Sequence, residues 1–191
     1  MQEEVTIFYP TSVMAWRQWL EKNHLLKQSV WLVFYNKNSK KKSVSWSDAV
    51  DVALCYGWID SKKIKIDPER SHQFFSKRKA KSTWSKINKD KVAKFVAEGV
   101  MTEAGLQAIE IAKENGSWIV LDDVEELTIP KDLEKALKKK PASKVFFLSL
   151  SKSVRKAMLQ WLVLAKRPET RQKRIAEISE LASKKMKPKQ F

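Results

Sequence analysis

Glycine and proline are scarce, four and six among 191 residues. That argues against an all-β sandwich, which needs both in its many tight turns. Cys55 is the only cysteine. It permits no intrachain disulfide and suits a reducing compartment. One cysteine and two distant histidines give no metal-ligand spacing. There is neither a Gly-x-Gly-x-x-Gly run nor a P-loop, so no cofactor is expected. The longest apolar runs, VWLVFY and WLVLA, are far too short for a membrane span. The opening MQEEVTIFYP lacks the basic and apolar regions of a secretion signal. The expectation is a soluble, cytoplasmic protein.

Basic charge is what the chain has in excess. Lys and Arg number 38 against 22 Asp and Glu, for a net charge of +16 and a pI near 9.8. It is unevenly spread: residues 37–94 hold sixteen cations against six acids, and residues 131–191 hold eighteen against five. Residues 1–36 are neutral, and LDDVEEL (121–127) is acidic. Such a field attracts an anionic protein, nucleic acid or an anionic membrane surface.

The pattern predicts an α+β fold. Ser12 caps a helix to about Asn23, and SVWLVFYN (29–36) reads as a buried strand. KNSKKKS (37–43) is a basic turn, followed by a short strand around SVSW and a helix capped by Ser47. Gly57 falls at the helix C′ position. WIDSKKIKID (58–67) and SHQFFSKRK (71–79) form an antiparallel hairpin. In it Trp58 and Asp60 share a phase with Ile64 and Ile66 if no bulge intervenes. Two helices follow, stopped by Gly99 and Gly116. The expected organisation is an α+β N-terminal domain with a small antiparallel sheet over 1–120, an acidic extended joint over 121–130, a module of about four helices over 131–185, and a frayed basic tail over 186–191.

ALCYGWIDSKK, RKAKSTWSKINK, EGVMTEAGLQAIEIAKENGSW and FFLSLSKSVRKAMLQWLVLAKRPETRQKRI together resemble the bacteriocin-protection, YdeI/OmpD-associated (OmdA) family. The resemblance spans about residues 12–185, and its C-terminal helices look like the OmdA domain proper. It implies a protective or envelope-associated accessory role under antimicrobial stress, and it brings no catalytic residues. The family's Phe-Thr-Pro-Arg-Lys-Pro-Lys-Ser-x-Trp-Ser run corresponds to Phe75–Ser85. Lys77 and Ala80 stand where the family has proline, which frees two φ angles and adds a charge.

Three groups of residues are candidates for chemistry. The first is a basic face around the hairpin: Lys62, Lys63, Lys65, Arg70, Lys77, Arg78, Lys79 and Lys81. Beside it, Ser82, Trp84, Ser85, Lys86 and Asn88 stand at a helix start. Lysines there meet phosphates and a tryptophan stacks on a base. The competing reading is a solvated strand edge with Trp84 stapled into the core. The second group is Arg167, Arg171 and Arg174, on one helix face, either an anion clamp or a cover for the core edge. The third is a pocket around Trp58, Asp60, Ser61 and His72. Asp60, Ser61 and His72, with Cys55, are types that serve in nucleophilic catalysis but match no nucleophile elbow, so no catalytic residue is assigned. An inward Asp60 requires a partner, for which Arg70 or Arg78 is in reach. A binding protein with a basic face is the favoured reading, ahead of a nucleic-acid-binding module and of a small-molecule enzyme.

Overall fold

The computed structural model describes residues 6–191; residues 1–5 of the expected N-terminal domain lie outside the described residues. The chain divides into two compact units between Trp118 and Ile119. The first runs β1 (Ile7–Phe8), α1 (Val13–Asn23), β2 (Ser29–Tyr35), α2 (Trp46–Cys55), β3 (Trp58–Lys65), β4 (Arg70–Lys77), α3 (Lys86–Ala97) and α4 (Glu103–Glu114). The second is helical: α5 (Asp122–Glu125), α6 (Lys131–Lys138), α7 (Pro141–Ser149), α8 (Lys152–Val163) and α9 (Pro168–Ser183).

The strands form one sheet in the order β1-β2-β4-β3. β2, β4 and β3 pair antiparallel, as the hairpin pattern predicts, and β1 adds a short parallel edge. Alternation along β2 sends Val30, Leu32 and Phe34 into the same core as Trp16, Leu20 and Leu54 of the helices. Phe75 of β4 and Trp58 of β3 complete that core, both fully buried.

β3 breaks the expected phase. Its register against β4 shifts between Asp60 and Lys63, where one extra residue is accommodated. Such a bulge inverts the alternation. Asp60 pairs with core-facing Phe75, whereas Ile64 pairs with His72 on the other face. Ile64 and Ile66 are each 41% exposed, so they do not share the buried phase of Trp58.

α2 also starts earlier than its sequence suggests. Ser45, not Ser47, is the N-cap: its Oγ accepts the Asp48 N–H at 3.1 Å and donates to Asp48 Oδ2 at 2.7 Å. This reciprocal cap draws Trp46 into the first turn. No strand forms at SVSW, because Val44 N–H goes to Pro10 O at 3.0 Å instead of to a ladder. At the other end Gly57, with φ +70°, turns the chain into β3. There Thr102, the cap of α4, donates its N–H and its Oγ1 hydroxyl to Cys55 O at 3.0 and 2.7 Å.

In the second unit Leu133, Leu137, Phe147, Met158, Leu162 and Ile178 build a separate core. The acidic joint is not extended. Leu121 and Val124 are buried in that core, which winds 122–125 into a helical turn that ends before Leu127 at φ 56°. The tail is not frayed either. Pro188 is buried, and the Phe191 ring meets Trp161 edge-on at 5.7 Å, an aromatic pair that gains by packing.

Candidate functional site: a lysine-walled cleft

A cleft of about 860 Å³ opens in the first unit, between the sheet and the loop joining β2 to α2. Phe34, Ser71 and Gln73 lie on its floor, and Val44 and Trp46 on the loop side. Five lysines line it: Lys37, Lys41 and Lys42 from the loop, Lys63 and Lys65 from β3. Arg70, Asp67 and Glu69 stand at the rim, leaving six cations against two acids. None of the five lysines has a carboxylate within ion-pair distance among the described residues.

The loop is braced on two sides. Asn36 donates its N–H to Glu69 O at 2.9 Å and its Nδ2 to Pro68 O at 3.1 Å, fixing it to the β3–β4 turn. Tyr35 N–H donates to Ser43 Oγ at 3.1 Å, and Tyr9 donates its hydroxyl to Lys42 O. The rim acids are already engaged. Asp67 accepts from Glu69 N, Arg70 N and Arg70 Nε at 2.7–3.0 Å, and Glu69 accepts from Ser39 Oγ at 3.1 Å. Burial works against the Asp67 charge, yet these bonds and Arg70 hold its carboxyl below the usual range.

Asp60 stands behind the cleft. Its Oδ2 accepts from Trp46 Nε1 at 2.9 Å and from Gln73 Nε2 at 3.0 Å. Gln73, 4% exposed, uses its other amide hydrogen on Ser61 O at 3.1 Å. The expected arginine partners are absent from this carboxylate: Arg70 is taken by Asp67 at 3.0 Å, and Arg78 turns to Trp84. Two of the donors around Asp60, Trp46 and Gln73, also line the cleft.

The other sequence candidates are dispersed. Trp58 and Trp84 are core residues, 0% and 1% exposed, with Trp84 directly before the Ser85 cap. Arg78 sits over Trp84 with its guanidinium carbon 3.7 Å from the ring centroid and donates to Thr83 O at 3.3 Å. Burial lowers its pKa to about 10, offset in part by Asp60. Lys77 donates to Leu25 O at 2.9 Å, Ser82 N–H to Lys79 O at 2.8 Å, and Asn88 N–H to Ser85 Oγ at 3.3 Å. Lys79 and Lys81 are exposed. Lys62 sits over the rings of Trp31 and Phe74, at 5.3 and 5.5 Å.

His72 lies on the sheet face opposite Gln73, so it forms no dyad with Asp60. Burial, with Arg70, pushes its pKa down. Ser61 is exposed at the bulge. Burial raises the Cys55 thiol, which therefore stays protonated. The three arginines form no open clamp. Arg171 grips Asp132 with two bonds, 2.6 and 3.0 Å, Arg174 donates to Trp161 O and covers its ring at 4.7 Å, and Arg167 remains exposed.

Of the hairpin residues expected to bind anions, Arg70, Lys63 and Lys65 reach the cleft. Trp46 and Gln73 escaped sequence reasoning. Their signal was a tryptophan directly after a Ser cap, next to the lysine-rich turn KNSKKKS. Among the described residues no helix is long and apolar enough to cross a membrane, and no cluster of His, Cys, Asp and Glu could hold a metal ion.

Comparison with known families divides the chain in the same way as its two cores. Residues 8–108 match a domain of unknown function, DUF8412. Residues 126–185 match the family described as bacteriocin-protection, YdeI or OmpD-associated (OmdA). No curated protein and no solved structure matches the chain. The chain thus belongs to the DUF8412 domain family, and residues 126–185 of its second unit are similar to the bacteriocin-protection, YdeI or OmpD-associated family.

Proposed function

We propose that this is a cytoplasmic accessory protein of the bacteriocin-protection type that acts by binding an anionic ligand in the cleft of its first unit. The family match supports the accessory role. The cleft supports the binding, and the observation that carries it is the set of five lysines lining one concavity with no carboxylate partner among the described residues. Lysines that project from both walls of a cleft focus positive potential into it and raise the local concentration of anions. The lone thiol favours a reducing compartment. Binding, and not catalysis, is proposed because Asp60 and His72 do not line the cleft and lie on opposite sheet faces.

Calorimetric titration of the full chain with inorganic pyrophosphate tests this reading. Saturable, salt-sensitive binding is expected, weakened about tenfold or more by the double variant Lys63→Glu, Lys65→Glu. Absence of binding, or affinity untouched by the double variant, overturns it.

A further inference from the structure

The geometry points to a nucleotide unit, a base carrying phosphate, as the ligand of the cleft. This rests on the anion-binding reading above and adds the ring. The chain has eight tryptophans. Seven are buried or half-buried, and Trp46 alone is exposed, at 56%. It lines the lysine-walled cleft. No other ring or cation stacks on it among the described residues.

An exposed indole is ordinarily free to turn. This one is fixed at both ends. Its backbone belongs to the first turn of α2, locked by the Ser45–Asp48 cap. Its Nε1 donates to Asp60 Oδ2 at 2.9 Å, and that oxygen is held in turn by the buried Gln73 amide at 3.0 Å. The indole's single donor is thereby satisfied, so what it offers a ligand is a π-face at a set angle, not a hydrogen bond. A flat, electron-poor ring stacks on such a face with little loss of side-chain entropy.

The surroundings choose among flat ligands. An uncharged aromatic has no use for five lysines at the wall. A ring with one carboxylate leaves most of them unpaired. A base linked to phosphates brings several negative charges at a short distance from its ring, matching the separation of duties between Trp46 and the lysines. The volume of about 860 Å³ lies within the usual range for small-ligand sites and accommodates a nucleotide. The ligand has two sources, free nucleotides and single-stranded nucleic acid, which present the same unit.

The test compares ligands that differ by the ring. The full chain is titrated with ADP, with inorganic pyrophosphate and with a short single-stranded oligonucleotide, at fixed salt. The expected result is that ADP binds at least about fivefold tighter than pyrophosphate, the advantage a base gains by stacking. Trp46→Ala lowers ADP affinity more than pyrophosphate affinity and so abolishes that preference, while Trp46→Phe retains part of it. Trp46 is exposed, so circular dichroism is expected to show both variants folded; if Trp46→Ala unfolds, the Phe variant carries the comparison. If the oligonucleotide binds with the same Trp46 dependence and ADP does not, the inference stands and the source is a strand. Equal ADP and pyrophosphate affinities, with no Trp46-dependent oligonucleotide binding, overturn the nucleotide inference and leave the anion cleft standing. No binding of any of the three overturns both.

Discussion

Asp60 forms no ion pair among the described residues, although the chain carries a net charge of +16. A neutral indole and a neutral amide satisfy its Oδ2. The carboxylate therefore acts as a strut for Trp46, with its charge reaching Arg78 only as a partial offset to burial. Asp60→Ala leaves the nearly buried Gln73 amide short of an acceptor and is expected to cost about 1–3 kcal/mol in denaturant unfolding. It also releases the indole, so the preference for ADP over pyrophosphate should fall. Asp60→Asn keeps one acceptor oxygen and should restore part of that preference. A merely structural role would leave the ratio unmoved in folded protein. Gly105 makes a second residue-scale point. A Cβ there would lie 2.2 Å from Cys55 O, the same carbonyl that anchors the start of α4 through Thr102. Because backbone cannot yield as a side chain does, Gly105→Ala should destabilise the protein by about 1–3 kcal/mol in chemical denaturation. No measurable change would show that α2 and α4 separate at low cost.

Elements were legible in the sequence wherever a local rule decides them. Ser12, Ser85 and Thr102 each accept an N–H as caps, and Gly57 adopts the left-handed turn that its position at a helix end implies. Four things were not legible, and each turns on a distant partner. The bulge in β3 depends on how β4 pairs with it, and the loss of the strand before α2 depends on Val44 finding Pro10. The helical turn at 122–125 depends on a core that buries Val124. The cleft depends on a loop and a hairpin brought together across the sheet. The Arg171–Asp132 pair is similar: the helical spacing of the arginines was readable, their acceptor on α6 was not. That pair has a pH consequence. The bond from Arg171, chiefly, holds the Asp132 carboxyl below its ordinary value against some burial. The folded state then binds fewer protons than the unfolded one, so stability from this group is present above the unfolded pKa, about 4, and is lost as pH falls through the folded value. Acid titration followed by circular dichroism should show Asp132→Asn to be less stable at neutral pH, with a flatter decline below about pH 4 than the parent. An unchanged acid slope would assign the decline to other carboxylates.

At the scale of the molecule, the question is whether ligand binding belongs to the cleft or to the field of the whole chain. A net charge of +16 attracts any polyanion at low salt, wherever the lysines stand. The two contributions respond differently to substitution. Long-range attraction depends on total charge and is screened over about 8 Å at physiological ionic strength. A contact in a concave site depends on which lysines are removed. Lys184 and Lys185 are exposed residues at the end of α9 in the second unit, whereas Lys63 and Lys65 line the cleft in the first. Converting either pair to glutamate changes the net charge equally. At about 150 mM salt the cleft pair should therefore weaken pyrophosphate binding about tenfold or more and the α9 pair less than about twofold, with the two variants converging only at low salt, where the field is unscreened. Equal losses at every salt concentration would mean that the protein binds anions as a diffuse cation, and that the arrangement of lysines around Trp46 has no part in it.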